Sequence, residues 1–151
     1  MKKAFFQSFE DSSDSDTGPD RLLLLQSELK KKKLLGYLVP RTDVYQGEYV
    51  AKCDERLSWL TGFTGSAGIC VVGHDAAGVF VDGRYDVQAK NQTRPPYEVI
   101  QWNKNNLIQW IKNNIKKGNI GFDPWLHSHK EIISLTKAFE GSNIKLVAST
   151  N

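Results

Sequence analysis

The sequence predicts an α/β domain in which a mixed β-sheet is covered by helices. The chain has 151 residues, 40% of them apolar and 25% charged, which is enough for one domain with a core. Apolar runs of strand length alternate with segments whose apolar residues recur at helical spacing. One pair of strands is joined by a short turn, so antiparallel pairing is expected inside a largely parallel arrangement.

The first elements are a helix, a strand and a second helix. Asp20 suits the N-cap or first turn of a helix with a buried leucine face, and Gly36 is predicted to end it. Residues 37–39 are apolar and predict a buried strand, which Pro40 stops. A polar loop follows, and residues 55–60 predict a short helix.

A β-hairpin occupies the middle of the chain. The apolar runs at residues 69–72 and 78–81 are separated by five residues that favour a turn. Residues 84–91 are then predicted to be helical until Pro95-Pro96 breaks the helix, and residues 97–102 alternate as a strand.

The last part of the chain repeats the alternation of helix and strand. Four apolar residues at helical spacing predict a helix that Gly118 ends. The remaining elements are a strand at residues 119–123, a helix at residues 129–140 and a strand at residues 145–148.

The chain is expected to have two regions, a flexible acidic tail at residues 1–19 and a folded domain at residues 20–151. Residues 12–19 are polar and rich in serine, aspartate and helix breakers, so the tail buries too little apolar surface to offset its ordering entropy. Net charge is +3, with five acidic side chains concentrated in residues 10–20.

Several classes of protein are disfavoured. The longest unbroken apolar run, residues 22–25, is far shorter than the roughly 20 residues of a membrane span. The N-terminus lacks the apolar region of a signal peptide, so a cytoplasmic location is expected. Cys53 and Cys70 do not form a disulfide pattern. The lysines at residues 30–33 suit a solvated helix end better than a nucleic-acid site, because no aromatic platform accompanies them.

The glycine-rich loop at residues 61–68 does not fit the common catalytic loops. No Gly-Lys-Ser/Thr follows it, so it is not a phosphate-binding P-loop. Thr64 stands where a nucleophile elbow around Ser66 would need glycine. A tight turn that leads into a strand is the better interpretation.

Three other polar groups each admit two interpretations. Asp82 and Arg84 either form a surface ion pair or present a guanidinium to a ligand. Arg41 and Asp43 either anchor a loop or line a cleft at the end of a strand. The segment 127–129, with two histidines, favours a polar helix entry over a metal site, which usually needs three or more protein ligands. Catalytic residues and metal ligands are therefore not assigned.

Four ordered motifs resemble those of the Xaa-Pro aminopeptidases, the aminopeptidase P group. The resemblance runs from about Asp20 to the C-terminus and rests on LVPRTD (38–43) with QGEY (46–49), ERL (55–57) with WLTGFTGSAG (59–68), DGRY (82–85) with QA (88–89), and GFDPWLH (121–127).

The resemblance implies the N-terminal domain of a three-domain enzyme, with the creatinase-type, ribonuclease H-like fold. The third domain of such enzymes has a pita-bread fold and binds two divalent metals, usually manganese. It removes an N-terminal residue that precedes proline. The implied partners are peptides with proline at the second position, the missing domains and a second subunit, with no nucleic acid and no membrane. This chain lacks the metal-bearing domain, so it is expected to be inactive alone and to hold no cofactor.

The resemblance also implies a substrate-binding role for Arg84, with Asp82, Tyr85, Arg41 and Asp43 as neighbours of the site. Local chemistry alone favours the surface ion pair between Asp82 and Arg84, and the resemblance reverses that preference. Tyr45 departs from the family, which commonly has histidine there. Two alternatives are a non-catalytic, peptidase-like module that binds peptides or proteins, and a creatinase- or prolidase-type N-terminal domain.

Overall fold

A computed structural model describes residues 13–149, which form one six-stranded sheet with helices on both faces. This confirms the predicted fold class. The strands are β1 (Gly36–Pro40), β2 (Gly68–Gly73), β3 (Ala77–Val81), β4 (Tyr97–Gln101), β5 (Lys117–Phe122) and β6 (Asn143–Ala148). The helices are α1 (Gly18–Lys31), α2 (Arg56–Thr61), α3 (Asp86–Gln92), α4 (Lys104–Ile115) and α5 (His129–Ala138).

The strand order is β4-β3-β2-β1-β5-β6, and the sheet is mixed. Strand β2 is antiparallel to both β1 and β3, whereas β3–β4, β1–β5 and β5–β6 pair in parallel. Every strand except β2 therefore runs in the same direction. The carboxyl ends of these strands share one edge of the sheet, which we call the carboxyl edge.

The sheet separates two apolar layers. Helices α1, α2 and α3 cover one face, and α4 and α5 cover the other. Residues of β2 alternate between them, with Cys70 and Val72 in the first layer and Ile69 and Val71 in the second. Central strands that are buried on both faces read as unbroken apolar runs, which explains the sequence of the predicted hairpin.

The start of the folded domain differs from the prediction. Residues 13–19 were assigned to the tail, yet Ser15–Thr17 form a 3-10 helix and Gly18 opens α1. Ser15 is buried, and the Ser13 hydroxyl donates to the Gly62 carbonyl at 2.6 Å. These polar residues pack because Gly62 offers a backbone surface without a side chain. The rest of the predicted tail, residues 1–12, lies outside the described residues.

The turn between α4 and β5 also differs from the prediction. The sequence predicts that Gly118 ends α4, but the helix ends at Ile115, and Lys116 follows it with a positive φ of +54°. Gly118 already belongs to β5.

Within residues 13–149, the helices are too short or too polar to cross a bilayer.

Candidate functional site

The carboxyl edge gathers segments that are far apart in the chain. The loop 41–49 leaves β1 there, the segment 82–85 leaves β3, and the segment 123–127 leaves β5. Because β2 runs in the opposite direction, the glycine-rich loop 62–67 enters the sheet at this edge too. Part of each of the four sequence motifs therefore lies at this edge, while residues 56–61 and 88–89 belong to α2 and α3.

Arg84 lies on this edge with its side chain 74% exposed. Asp82 Oδ1 accepts hydrogen bonds from the backbone N–H and from the Nε of Arg84, each at 3.0 Å. These contacts lower the pKa of the Asp82 carboxyl, the backbone hydrogen bond most of all. Within residues 13–149 the two Nη atoms make no hydrogen bond. Asp82 thus fixes the guanidinium through Nε and leaves its outer donors open to solvent.

Tyr85 joins the segment 82–85 to the glycine-rich loop. Its ring lies 5.5 Å from the Arg84 guanidinium carbon and meets Phe63 edge-on at 5.9 Å. The Tyr85 hydroxyl and the Ser66 hydroxyl are 2.5 Å apart. A side chain on Gly65 would collide with the Phe63 ring, so glycine is required for this packing.

The glycine-rich loop leads from α2 into β2. Gly62 ends α2 in the left-handed conformation, and its N–H donates to the Ser58 carbonyl at 2.8 Å. The Gln92 side chain then holds the loop from α3, accepting from the Thr64 N–H at 3.0 Å and donating to the Thr64 hydroxyl at 2.9 Å.

The loop 41–49 is held by its own polar side chains. Asp43 is buried, and its Oδ1 accepts from the N–H groups of Tyr45 (3.0 Å) and Gly47 (2.9 Å). Arg41 Nη1 donates to the Glu48 carbonyl at 2.6 Å. The loop-anchoring contacts are thus present, while Arg41 also lines a cleft described below. Tyr45 is 87% exposed.

Two contacts fix the segment 123–127. Asp123 pairs with Arg56 of α2 at 2.5 Å, and Asp123 Oδ1 also accepts from the Trp125 N–H at 2.9 Å. The Leu126 carbonyl accepts from the Thr42 hydroxyl at 2.9 Å, which ties this segment to the loop 41–49. The two loops are therefore joined at the carboxyl edge.

The His127 side chain is fully buried, which the polar helix-entry interpretation did not foresee. Its Nδ1 lies 3.3 Å from Glu131 Oε1, and its ring meets Phe122 edge-on. Ser128 caps the N-terminus of α5, because its side chain accepts from the Glu131 N–H. Among residues 13–149, His, Cys, Asp and Glu side chains do not form a group of three that would hold a metal ion.

A cleft of about 400 Å³ opens at the carboxyl edge beside Asp82. Trp102 and Glu131, which the sequence analysis did not single out, contribute to its wall. Trp102 is the last residue of the predicted strand 97–102 and directly follows β4 in the structure, so the tendency of ligands to bind at the carboxyl ends of strands was a signal for it. The lining comprises Pro40, Arg41, Thr42, Ser66, Ala67, Gly68, Ile69, Asp82, Trp102 and Glu131.

A larger groove of about 560 Å³ lies between α1, α2 and the sheet. Its wall is mostly apolar, and neither Asp82 nor Arg84 contributes to it. The smaller cleft, which adjoins the segment 82–85, is the better candidate for a functional site.

Comparison with known proteins gives the family. Residues 21–151 match the model of the Creatinase/Prolidase N-terminal domain. Xaa-Pro aminopeptidase 2 of Rattus norvegicus is 34% identical over 93% of this chain, and that of Homo sapiens is 37% identical over 85%. This chain spans only 23% and 19% of those two proteins.

Solved structures agree with this assignment. The X-prolyl aminopeptidase of Caenorhabditis elegans, described as a cytosolic enzyme with a di-nuclear active site, superposes with a TM-score of 0.80 at 27% identity. That alignment covers 89% of this chain and 24% of the enzyme. The N-terminal domain of the cytoplasmic peptidase PepQ of Mycobacterium tuberculosis gives 0.68 at 25% identity, covering 87% of this chain and 93% of that domain. The chain therefore belongs to the Creatinase/Prolidase N-terminal domain family and resembles the corresponding domain of Xaa-Pro aminopeptidases.

Proposed function

We propose that this chain is the non-catalytic N-terminal domain of a longer, metal-dependent Xaa-Pro aminopeptidase, and that Arg84 contacts the peptide substrate. The parent would release an N-terminal residue that precedes proline, using two divalent metals, manganese in the usual case, in a domain that this chain lacks. The parent would be cytoplasmic and form a homodimer. The relatives support this proposal because their names denote that activity and they are several times longer.

The observation that carries the proposal is the presentation of Arg84. Its Nε is bound by Asp82, while its outer nitrogens make no hydrogen bond among residues 13–149. A guanidinium that is held by one edge offers a planar donor pair to an incoming oxygen. Proline has no backbone N–H, so recognition of an Xaa-Pro peptide depends on its shape and on its carbonyl or carboxylate oxygens.

The test is the substitution Arg84→Ala in the longer protein that contains this domain. We expect kcat/KM for Xaa-Pro peptides to fall by roughly tenfold or more, because a charge-assisted hydrogen bond is lost. Arg84→Lys should recover little of it, since lysine keeps the charge but not the fork. Lys90→Ala removes another exposed, ion-paired cation from the neighbouring α3 and is the matched control, with unchanged kinetics.

Unfolding measurements make the result interpretable. Arg84 is largely exposed, so its replacement should leave the urea midpoint unchanged. An Arg84→Ala enzyme with full kcat/KM for peptides of every length would refute the role of Arg84. Turnover of Xaa-Pro peptides by the 151-residue chain in the presence of Mn²⁺ would refute its assignment as non-catalytic.

A further inference from the structure

We propose that the cleft at the carboxyl edge binds the uncharged, proline-containing stretch of substrate that follows the cleaved bond, with Trp102 as its platform. This inference rests on the proposed function, because it assigns the cleft to the same peptide. It adds a binding site and a sequence preference. Substrates with a further proline after the second position should bind more tightly, because the cleft contacts that proline.

The position of the cleft supports this assignment. Asp82, which holds the guanidinium of Arg84, is also part of the cleft wall. Ser66, whose hydroxyl contacts Tyr85, lies on the same wall. A peptide that contacts Arg84 is therefore within reach of the cleft without any movement of the loops.

Trp102 is partly exposed on a backbone that is held in place. The residue is 44% exposed, although large aromatic residues are usually more buried. Its backbone N–H donates to the Val81 carbonyl at 2.7 Å, and the next residue, Asn103, caps α4 by accepting from the Asn106 N–H at 2.7 Å. An exposed indole on the wall of a cleft suits the flat ring of proline, and proline-rich segments generally dock on aromatic-lined grooves.

Two residues of the cleft wall carry donor groups that suit the carbonyl groups of a peptide. Arg41 and Ser66 line the cleft, while Arg41 Nη1 also donates to the Glu48 carbonyl and the Ser66 hydroxyl also contacts that of Tyr85. The prolines of a peptide offer only carbonyl acceptors in return, because each proline removes an N–H. Proline also favours the extended conformation with its carbonyls exposed.

The charges around the cleft favour a neutral ligand. Asp82 and Glu131 are the acidic side chains of the lining, and Arg41 is the basic one. Arg84 sits against Asp82 and neutralises it. The remaining carboxylate and guanidinium balance each other, so neither a cationic nor an anionic side chain is favoured there.

Binding can be measured on the 151-residue chain itself. The probes are Ala-Pro-Pro-Pro-Ala and Ala-Pro-Ala-Ala-Ala, titrated into ¹⁵N-labelled protein at millimolar concentrations while the indole N–H signals are followed. We expect a saturable shift of the Trp102 signal, with affinity roughly two- to tenfold higher for the proline-rich peptide. Trp102→Ala should abolish the difference between the peptides, and Trp102→Leu serves if the alanine variant does not fold.

Trp125→Ala is the matched control, because Trp125 is 70% exposed on the same edge but is not part of the cleft wall. It should leave both affinities unchanged. Equal affinity for the two peptides, an unmoved Trp102 signal or an equal effect of Trp125→Ala would each overturn the inference.

Kinetics of the longer protein separate this inference from the proposed function. Arg84→Ala should slow the cleavage of every Xaa-Pro peptide, whereas Trp102→Ala should lower kcat/KM only for peptides with further prolines. If only the first effect is found, the cleft assignment falls and the proposed function stands. If the Arg84 effect is absent, the proposed role of Arg84 fails, whatever the cleft binds.

Discussion

Gly62 offers the sharpest test of how the folded domain begins. It ends α2 with φ +83°, a conformation that side chains rarely adopt. A Cβ at this position would lie 2.6 Å from the Gln92 carbonyl oxygen and 2.7 Å from the Cα of Ser15. Both neighbours are backbone atoms, so they cannot rotate away as a flexible side chain would.

The substitution Gly62→Ala should therefore be costly in two ways. The left-handed conformation itself costs alanine about 1–2 kcal/mol. Overpacking against backbone adds about 1–3 kcal/mol, so the total loss of stability should be about 2–5 kcal/mol. Gly141 provides the matched control, because it has φ +76° and nothing within 4 Å of its Cβ position. Gly141→Ala should lose only the conformational part, about 1–2 kcal/mol.

Urea unfolding at neutral pH, followed by circular dichroism, measures both losses. The predicted result is a midpoint for Gly62→Ala that is clearly below that of Gly141→Ala, with similar slopes. Equal losses for the two variants would refute the reasoning. They would mean that Ser15 and its neighbours move aside at little cost, and that the segment before α1 does not pack firmly.

Two further predictions concern buried groups. The Tyr97 hydroxyl donates to the carbonyls of Gly18 (3.1 Å) and Leu60 (2.8 Å). Tyr97→Phe should therefore lower the free energy of unfolding in urea by about 1–2 kcal/mol. A loss below about 0.3 kcal/mol would contradict this prediction. Burial raises the pKa of the Cys70 thiol far above its usual range, so the thiol stays neutral in the fold while the unfolded chain ionises above pH about 8.5. Stability should then fall by up to about 1.4 kcal/mol per pH unit above that pH, a slope that Cys70→Val should lack, and parallel pH curves for the two proteins would exclude this origin.

Most elements of the fold could be predicted because their signals are local. The hairpin strands are unbroken apolar runs, and α4 shows its apolar residues at helical spacing. The start of the domain could not be predicted in this way. Ser15 is polar and follows an acidic stretch, yet it is buried against a glycine that lies more than forty residues away in the chain. Such burial depends on tertiary packing, which composition does not report.

The site was predictable only in part. The segments after β1, β3 and β5 were identified from their motifs, and the sheet brings them to one edge. The burial of His127 was not predicted, because the polarity of a side chain does not reveal that it packs against Phe122 with none of its surface exposed. Trp102 was also missed, since a tryptophan at the end of an alternating strand looks like part of the core until its exposure is known.

The two interpretations of Arg84 turn out to describe different atoms of one side chain. Local chemistry favoured an ion pair with Asp82, and Nε forms it at 3.0 Å. The family motif implied contact with substrate, and the outer nitrogens are the atoms that are free for such contact among residues 13–149. An exposed arginine without Asp82 would sample many rotamers and lose more entropy on binding. We therefore expect Asp82→Asn to weaken substrate binding through KM rather than kcat, because it loosens the guanidinium without removing it. An unchanged KM in the longer protein would show that the pair is only a surface contact.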